Sequence, residues 1–431
     1  MPLKTRRFLH TLFDAAVSAA LPAKCLPRHF PEAPEGGKII VIACGKAAAG
    51  MAKAAEQYYE RRHTPAQLTG VAVTRHGFGE PLKKLKLIEA GYPVPDEASQ
   101  YAAAEAMKLA RSAQPNDLVL FLISGGASAL CAAPAGDVTL FEKQALTKAL
   151  FNSGARIYGI NCVRKHLSRF KGGRLAACAS ATTLVTLAIS DTPSDEPETI
   201  GCGPTCPDPT TLAEARRTIA KYGITVPPSI EAALADPANE TPKPGDPIFA
   251  KARYDLVATG RDSLVAAGEL ARGLGYDVVM LGDSLEGEAR DVAQLHARLA
   301  QRCFADGRRA VILSGGELTV TVKGKGRGGP NQEYALALAM ALDGQKGIAA
   351  LAGDTEGADG GTGGAHDPAG AIMDWGTLSR AGALNLVPAT FLENNDSTGF
   401  FRLTNDLLVC GPTGTNVNGF RAIIVDSSIR D

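Results

Sequence analysis

Two glycine clusters in the C-terminal half of the sequence point most directly to chemistry. The first ends an apolar run, and the second carries Lys325 and Arg327 up to a predicted helix. Glycine lets backbone N–H groups approach a ligand closely, and the first turn of a helix offers unpaired donors and a positive dipole end. We therefore expect a bound phosphate or carboxylate, with six candidate binding residues: Gly315, Gly316, Glu317, Gly328, Gly329 and Asn331.

The same order of apolar run, glycine turn and helix occurs twice in the N-terminal half. The run at 38–44 leads into Gly45 and Lys46, and the run at 117–123 leads into a second turn. Ligands bind at such turns at the carboxyl ends of parallel strands. Neither turn has the spacing of a Walker A loop. The second turn supplies the anion-binding candidates Ser124, Gly125, Gly126 and Ser128.

Lys46 stands at the predicted start of a helix, directly after Gly45. The helix dipole makes this an unfavourable place for a cation. A surface lysine is the plain alternative, but the unfavourable position favours a functional role. We expect Lys46 to meet a phosphate as a point charge.

A basic segment at 161–174 follows the second N-terminal turn. Helical spacing predicts that Arg164, Ser168 and Lys171 share one face and that Gly172 and Gly173 end the helix. A solvated basic face is the alternative. The position between two polar loops favours anion binding by Asn161, Arg164 and Lys171, whereas His166 is expected to be structural.

Four carboxylates follow predicted strands: Asp191, Glu317, Asp354 and Asp359. Hard cations such as Mg²⁺ are bound by one or two carboxylates together with substrate phosphates. Each aspartate could instead form an Asx turn in its loop. Four such residues together favour a functional role.

The composition bounds the class of protein. Forty-five basic residues balance 45 acidic ones without a block of like charge, which predicts neither nucleic-acid nor membrane binding. The nine cysteines are expected to be reduced thiols. No apolar run reaches the roughly 18 to 20 residues that span a bilayer, so we expect a soluble cytoplasmic protein. The N-terminal segment predicts an amphipathic helix, with one face formed by Phe8, Leu9, Leu12, Phe13, Ala16, Val17 and Ala20.

Apolar runs alternate with helical stretches along the whole chain. A single core stops growing at about 250 to 300 residues, so we expect two domains. A Pro-rich segment at 227–247 is interpreted as a linker or surface loop. The prediction is an α/β protein with a doubly wound, mostly parallel Rossmann-like domain at 1–245 and a mixed-sheet α/β domain at 246–431. The strands are predicted near 39–43, 71–73, 85–88, 118–123, 184–189, 256–258, 278–281, 311–313, 318–322, 348–351, 407–409 and 422–425.

These segments together resemble the glycerate 2-kinases of the MOFRL family. The resemblance extends from Phe8 to Val425 and includes both N-terminal turns, the basic segment, both C-terminal glycine clusters, the loop at 353–359 and the loop at 413–417. In one place the family has a shorter Asp-Gly-Pro-Thr stretch than the glycine-rich sequence that follows Asp359 here.

The resemblance implies phosphorylation of D-glycerate at its 2-hydroxyl by ATP with Mg²⁺, in a cleft between two α/β domains that contains Lys46 and Arg327. On this basis we interpret Lys46, Asp191 and Arg327 as catalytic, with Asp191 as the base. Asp354 and Asp359 are the metal candidates, and the six residues of the C-terminal glycine clusters bind nucleotide. Which carboxylate is base and which is metal ligand stays open. A homodimer is compatible with the sequence.

Two other functions are considered. An NAD(P)H-dependent hydroxypyruvate reductase is the first, although no Gly-x-Gly-x-x-Gly follows the first strand. In its favour, Arg75 could suit a 2′-phosphate. A non-enzymatic module that binds phosphorylated metabolites is the second. That module would not need the set of loop carboxylates.

Overall fold

The computed structural model describes residues 3–64, 66–360, 364 and 366–429. Its helices are α1 (Leu3–Ala19), α2 (Pro22–Cys25), α3 (Ala48–Arg61), α4 (Glu97–Ser112), α5 (Ala127–Leu130), α6 (Leu140–Asn152), α7 (Ile157–His166), α8 (Arg174–Cys178), α9 (Leu212–Lys221), α10 (Pro228–Ala235), α11 (Gly260–Gly273), α12 (Ala289–Ala305), α13 (Pro330–Leu342), α14 (Thr377–Ala383), α15 (Pro388–Glu393) and α16 (Ser397–Leu403). Its strands are β1 (Ile39–Cys44), β2 (Leu68–Arg75), β3 (Lys86–Ala90), β4 (Leu118–Ile123), β5 (Thr183–Ile189), β6 (Ala252–Ala258), β7 (Asp277–Met280), β8 (Gly287–Glu288), β9 (Arg309–Gly316), β10 (Leu318–Thr319), β11 (Ile348–Asp354), β12 (Gly370–Asp374), β13 (Leu407–Leu408) and β14 (Gly419–Asp426).

The chain forms two compact units. The N-terminal unit consists of Cys25–Ser190 and Ser194–Val257, and the C-terminal unit consists of Met1–Lys24, Asp191–Pro193 and Ala258–Asp431. This division differs from the predicted one at 245/246. The first helix belongs to the C-terminal unit, and most of β6 belongs to the N-terminal unit.

The N-terminal unit is built on a six-stranded sheet of order β3-β2-β1-β4-β5-β6. The pairs from β3 to β5 are parallel, which confirms the predicted doubly wound sheet. All six residues of β1 and of β4 are buried, because helices cover parallel sheets on both faces. The strand order reverses between β1 and β4. Ligands bind outside the carboxyl ends of strands at such a switch point.

A separate helical cluster completes this unit. Helices α6, α7, α9 and α10 pack through an apolar cluster that includes Leu150, Ile160 and Leu212. The predicted linker at 227–247 is wrong, since it contains α10 and packs into the unit. Thr241 is buried there and donates a hydrogen bond to Asp208 at 3.0 Å.

The C-terminal unit has a six-stranded sheet of order β13-β12-β11-β14-β9-β7. Its pairs are antiparallel except β7 with β9, so the predicted mixed sheet is confirmed. Alternate residues face opposite sides, as the pleat requires. Ile312 and Ile423 pack with α12 and α13, whereas Leu313 and Ile424 pack with α1 and α11. The run at 318–322 lies outside this sheet, because β10 pairs with β8 in a separate two-stranded sheet.

Helix α1 is amphipathic, as its pattern predicts. Leu9, Leu12 and Phe13 are buried against α11 and the sheet of the C-terminal unit. The nine cysteines are free thiols. None of the helices among the described residues has the length and hydropathy needed to cross a membrane.

Candidate functional site

The turns after β1 and β4 are joined by hydrogen bonds at the switch point of the N-terminal sheet. Ala47 N–H donates to Ser124 Oγ at 3.0 Å, and Lys46 N–H donates to the carbonyl of Gly125 at 2.8 Å. Gly45 has φ +136°, and a Cβ there would lie 2.2 Å from Ser124 Oγ. Only glycine permits this approach. The two predicted anion turns therefore form one surface.

Lys46 lies on this surface beside Gly126. A Cβ on Gly126 would lie 3.1 Å from Lys46 Cγ and 3.2 Å from the ring of Tyr92. Lys46 Nζ is 4.8 Å from the centre of that ring, within the range of a cation–π interaction. The aromatic ring thus holds the ammonium group at the switch point.

Three cations lie near Ser128, and we call Lys143, Arg164 and Lys171 the cation cluster. Arg164 donates to Ser128 Oγ at 2.5 Å and to Asn161 Oδ1 at 3.2 Å. Lys171 is 1% exposed and donates to the carbonyl of Cys131 at 2.8 Å. The nearby Lys165, by contrast, pairs with Asp208.

Lys143 is the member of the cluster that the sequence analysis missed. It is 7% exposed and donates to the carbonyls of Arg164 and Leu167 at the end of α7. Within the described ranges, no carboxylate forms an ion pair with any member of the cluster. A buried charge without a counter-ion is costly, so the cluster favours an anionic ligand.

The pKa values of Lys143, Lys171 and Cys202 are lowered at the cation cluster. Burial lowers the pKa of Lys171 to about 8. Burial and the charges of Lys171 and Arg164 hold the pKa of Lys143 well below its usual range. For the Cys202 thiol, burial acts to raise the pKa, but Arg164 and Lys171 outweigh it and the pKa is lowered. An anion bound here would relieve these repulsions.

The predicted shape of the basic segment is wrong, although Arg164 and Lys171 do come together. Helix α7 ends at His166, and Ser168 accepts hydrogen bonds from the N–H groups of Phe170 and Lys171, both at 3.2 Å. The glycines at 172 and 173 precede α8 rather than end α7. The ring of His166 is fully buried between the carbonyl of Cys162 and the Glu240 carboxylate, consistent with a structural role.

In the C-terminal unit, two asparagines hold Asp191. Asn416 donates to Asp191 Oδ2 at 2.8 Å, and Asn418 donates to the Asp191 carbonyl at 2.6 Å. The carbonyl of Asn418 in turn accepts from Thr355 Oγ1 at 2.7 Å. The loop at 413–418 therefore links Asp191 to the strand end that carries Asp354.

Asp354 shapes the loop that follows β11. Its Oδ1 accepts from the N–H of Glu356 at 2.9 Å, which is an Asx turn. Among the residues that the structure describes, no cluster of three or more His, Cys, Asp or Glu side chains is arranged to hold a metal. Asp354 is partly buried.

Asp359 has a different role from the predicted one. Its Oδ1 accepts from the N–H and the side-chain amide of Asn331, and its Oδ2 accepts from the N–H and the side-chain amide of Gln332. Asp359 therefore caps α13. The expected unpaired donors at this helix start are occupied by the protein's own carboxylate, and the predicted metal pair of Asp354 and Asp359 does not fit. The sequence beyond it, at 361–363 and 365, lies outside the described residues.

The second C-terminal glycine cluster is packed against the segment 394–397. The N–H groups from 323 to 327 donate to oxygens of Asn394, Asn395 and Asp396. A Cβ on Gly324 would lie 2.2 Å from the Asn394 carbonyl oxygen, and a Cβ on Gly329 would lie 2.3 Å from the Asp359 carbonyl oxygen. The glycines at 324 and 329 thus serve close packing. Arg327 is exposed, and in the described part of the chain its guanidinium has no hydrogen-bond partner.

Gly315 and Gly316 contact a buried arginine that the sequence analysis also missed. Arg421 is 1% exposed and donates to the carbonyls of Gly315 and Gly316 at 2.5 and 3.2 Å. Burial lowers its pKa, while Tyr334, Glu317, Asp359 and Asp354 act in the opposite direction. The charge of Arg421 therefore interacts with three of the predicted carboxylates: Glu317, Asp354 and Asp359. Glu317 itself is exposed.

Both missed cations had a signal in the sequence. Lys143 precedes Leu146 and Leu150 by three and seven residues on the buried side of α6, and Arg421 lies between Phe420 and the apolar run that follows it in β14. A charge at a core position must find a partner. The partners themselves are remote in sequence, so their identity could not be derived.

Comparison with known proteins places the chain among relatives that match 90% or more of its length. Residues 8–235 match a family described as a domain of unknown function, DUF4147, and residues 310–419 match the MOFRL family. A putative hydroxypyruvate reductase of Agrobacterium vitis is 43% identical over 98% of this chain and 95% of its own. A glycerate 2-kinase of Pyrococcus horikoshii is 40% identical over 91% of this chain and 88% of its own. The crystal structure of a glycerate kinase from Thermotoga maritima superposes with a TM-score of 0.87 at 35% identity, covering 98% of this chain and 100% of that one.

Proposed function

We propose that this chain, which belongs to the MOFRL family of glycerate 2-kinases, transfers the γ-phosphoryl group of ATP to the 2-hydroxyl of D-glycerate. The observation that carries the proposal is the cation cluster beside the switch point of the N-terminal sheet. Its three basic side chains lack carboxylate partners within the described residues, and Ser128 and Asn161 add polar groups beside Arg164. Such a site suits a small carboxylate whose neighbouring hydroxyl is to react.

The N-terminal unit provides anion binding in this proposal. Arg164 and Lys171 bind the carboxylate of D-glycerate, and Ser128 donates to it. Lys46 neutralises charge on the transferred phosphoryl group as it develops. The locked turns at Gly45, Ser124, Gly125 and Gly126 fix the position of Lys46, so little reorganisation is needed during the reaction.

Asp191 acts as the base in this proposal. A carboxylate that accepts the proton of the attacking hydroxyl must be held in one orientation. The amide of Asn416 fixes Oδ2 of Asp191, and Asn418 fixes its backbone. Both asparagines lie in the 413–418 loop, and they are positioning residues that the sequence analysis did not select.

The nucleotide contacts are assigned to the C-terminal unit. Arg327 offers an exposed guanidinium for phosphate oxygens, with Glu317, Asn331 and the glycines at 315, 316, 328 and 329 around it in sequence. Mg²⁺ enters as part of the MgATP substrate, which carries the ion on its own phosphates. Asp354 is kept as the carboxylate that interacts with this ion, and Asp359 is assigned to the cap of α13. A homodimer and a cytoplasmic location stay predictions from the sequence.

Product analysis tests the proposal directly. Purified protein is incubated with D-glycerate, ATP and Mg²⁺, and the products are identified by phosphorus NMR. We expect 2-phospho-D-glycerate and ADP in equal amounts. Phosphate on carbon three would support kinase activity but contradict phosphorylation at the 2-hydroxyl. ADP release that does not depend on D-glycerate would contradict the assignment of D-glycerate as the phosphoryl acceptor.

A reductase is the second candidate, because relatives at 43% and 42% identity carry the name putative hydroxypyruvate reductase. The turn after β1 reads Gly-Lys-Ala-Ala-Ala-Gly and is filled by its contact with Ser124, which leaves no Gly-x-Gly-x-x-Gly cradle for a dinucleotide. Arg75 is buried over the ring of Phe78. Oxidation of NADH or NADPH by hydroxypyruvate without ATP would favour this candidate.

A further inference from the structure

A cavity of about 700 Å³ opens above the cation cluster within the N-terminal unit. Lys143, Arg164 and Lys171 line it together with Ser128. Its remaining walls are mostly apolar, and the ones that matter here are Val94, Ala129, Ala132, Phe141 and Phe151. The cavity therefore joins a positive end to a largely apolar body.

Three of the apolar wall residues are exposed to solvent. Val94 is 62% exposed, Phe141 is 77% exposed and Phe151 is 54% exposed. Phe141 and Phe151 both lie on α6, the helix whose buried side carries Lys143. Exposed apolar surface that rims a cavity marks a binding site more often than an isolated exposed residue does.

D-glycerate does not account for this arrangement. It has three carbons, each bonded to oxygen, and so has no apolar part to place against Phe141 and Phe151. A cavity of about 700 Å³ lies well within the range of pockets that bind much larger ligands. The apolar walls thus call for a ligand with an apolar part of its own.

We propose that this cavity binds monocarboxylates that carry an unbranched apolar tail, with the carboxylate at the cation cluster and the tail between Val94, Phe141 and Phe151. Charge complementarity places the carboxylate end of the ligand at the cation cluster, because Arg164 and Lys171 have no carboxylate partner in the described part of the chain. Where the cluster also binds D-glycerate, as the proposed function states, the two ligands compete.

The first test is a ligand series measured by titration calorimetry: acetate, butyrate, hexanoate and octanoate. Each buried methylene should tighten binding roughly fourfold until the tail leaves the cavity. Hexylamine, which has a tail of the same kind and a positive end, should not bind at the same site. A series with equal affinities, or equal binding of hexylamine, overturns the proposal.

Variants at the rim separate tail binding from catalysis. Phe141→Ser and Phe151→Ser change exposed residues outside the proposed machinery, so the fold and the KM for D-glycerate should not change. The affinity for octanoate should fall by about fivefold or more in each, and that for acetate should stay the same. Ile157→Ser is the matched control, since Ile157 is 58% exposed and does not line the cavity. Unchanged octanoate affinity in both rim variants contradicts the proposal.

Enzyme kinetics distinguish this inference from the proposed function. Octanoate should raise the apparent KM for D-glycerate without changing kcat. Phosphorylation of D-glycerate that octanoate does not inhibit, together with a flat binding series, refutes the cavity assignment alone. Tail-dependent binding in a protein that does not phosphorylate D-glycerate refutes the proposed function and supports the cavity assignment.

Discussion

The Asp359 carboxylate accepts hydrogen bonds from the backbone N–H and from the side-chain amide of Asn331, at 3.1 and 3.0 Å. Gln332 supplies the same pair of donors to the other oxygen. Burial raises the pKa of Asp359, and these hydrogen bonds act in the opposite direction. A carboxylate with this many donors is a structural cap, whereas a metal ligand needs free lone pairs.

Substitution of Asp359 should therefore affect stability and substitution of Asp354 should affect activity. Asp359→Asn removes one acceptor oxygen and leaves buried N–H groups unpaired, which should lower the free energy of unfolding by about 1–3 kcal/mol. Asp354→Asn should leave thermal unfolding nearly unchanged. It should reduce kcat/KM by about tenfold or more, because a charge that stabilises the transition state is lost. Calorimetry and steady-state kinetics on both variants check this pair. The reverse outcome would return the metal role to Asp359.

Lys46→Ala should abolish most turnover and leave the fold intact. Its ammonium group lies over Tyr92 rather than in the core, so its removal creates no cavity. We expect a loss of about 100-fold or more in kcat/KM, the size typical of a charge that acts in the transition state. Lys53→Ala is the control, because Lys53 lies on α3, the helix that follows the turn, and pairs with Glu80. Activity within severalfold of the parent would remove Lys46 from the site.

The pKa of Lys171 predicts how substrate binding depends on pH. Burial lowers this pKa to about 8, so the amine carries its proton below that pH and loses it above. An anion binds the protonated form better. The KM for D-glycerate should therefore rise with pH, approaching about tenfold per pH unit well above the pKa. Lys171→Met should give a higher KM that no longer changes over this range. A wild-type KM that is constant from neutral to alkaline pH contradicts the assignment.

Asn416→Asp tests the orientation of the proposed base. The substitution keeps the shape of the side chain but places a second carboxylate against Asp191 Oδ2, where the amide now donates. Repulsion between like charges raises the pKa of both groups. The acidic limb of the kcat/KM profile should move to higher pH. Gln100→Glu, an exposed change on α4, is the control for a simple gain of charge. An unmoved acidic limb argues against Asp191 as the base.

The sequence predicted those features whose determinants are local. Strands β1 and β4 are unbroken apolar runs that end in glycine turns, and the structure brings both turns to the switch point. The same applies to Arg164 and Lys171, although the helical spacing used to join them is interrupted at His166. Pattern alone identified the amphipathic face of α1.

The errors concern partners that are distant along the chain. The glycines at 324–329 look like a ligand loop, but their neighbours are oxygens of 394–396 that no spacing rule reveals. Asp359 looks like a metal ligand until the position of Asn331 is known. The segment at 227–247 is polar and rich in proline, yet its buried Thr241 binds Asp208. In each case tertiary contacts override local composition.

The packing of α1 imposes an order on biosynthesis. Helix α1 leaves the ribosome well before β11 and β14, the strands that cover Leu9 and Phe13, because both strands lie far behind it in the chain. Domains generally fold as units while the chain emerges. The N-terminal unit can thus fold while the apolar face of α1 is still exposed to water. A nascent chain that terminates before β14 would present that face to chaperones.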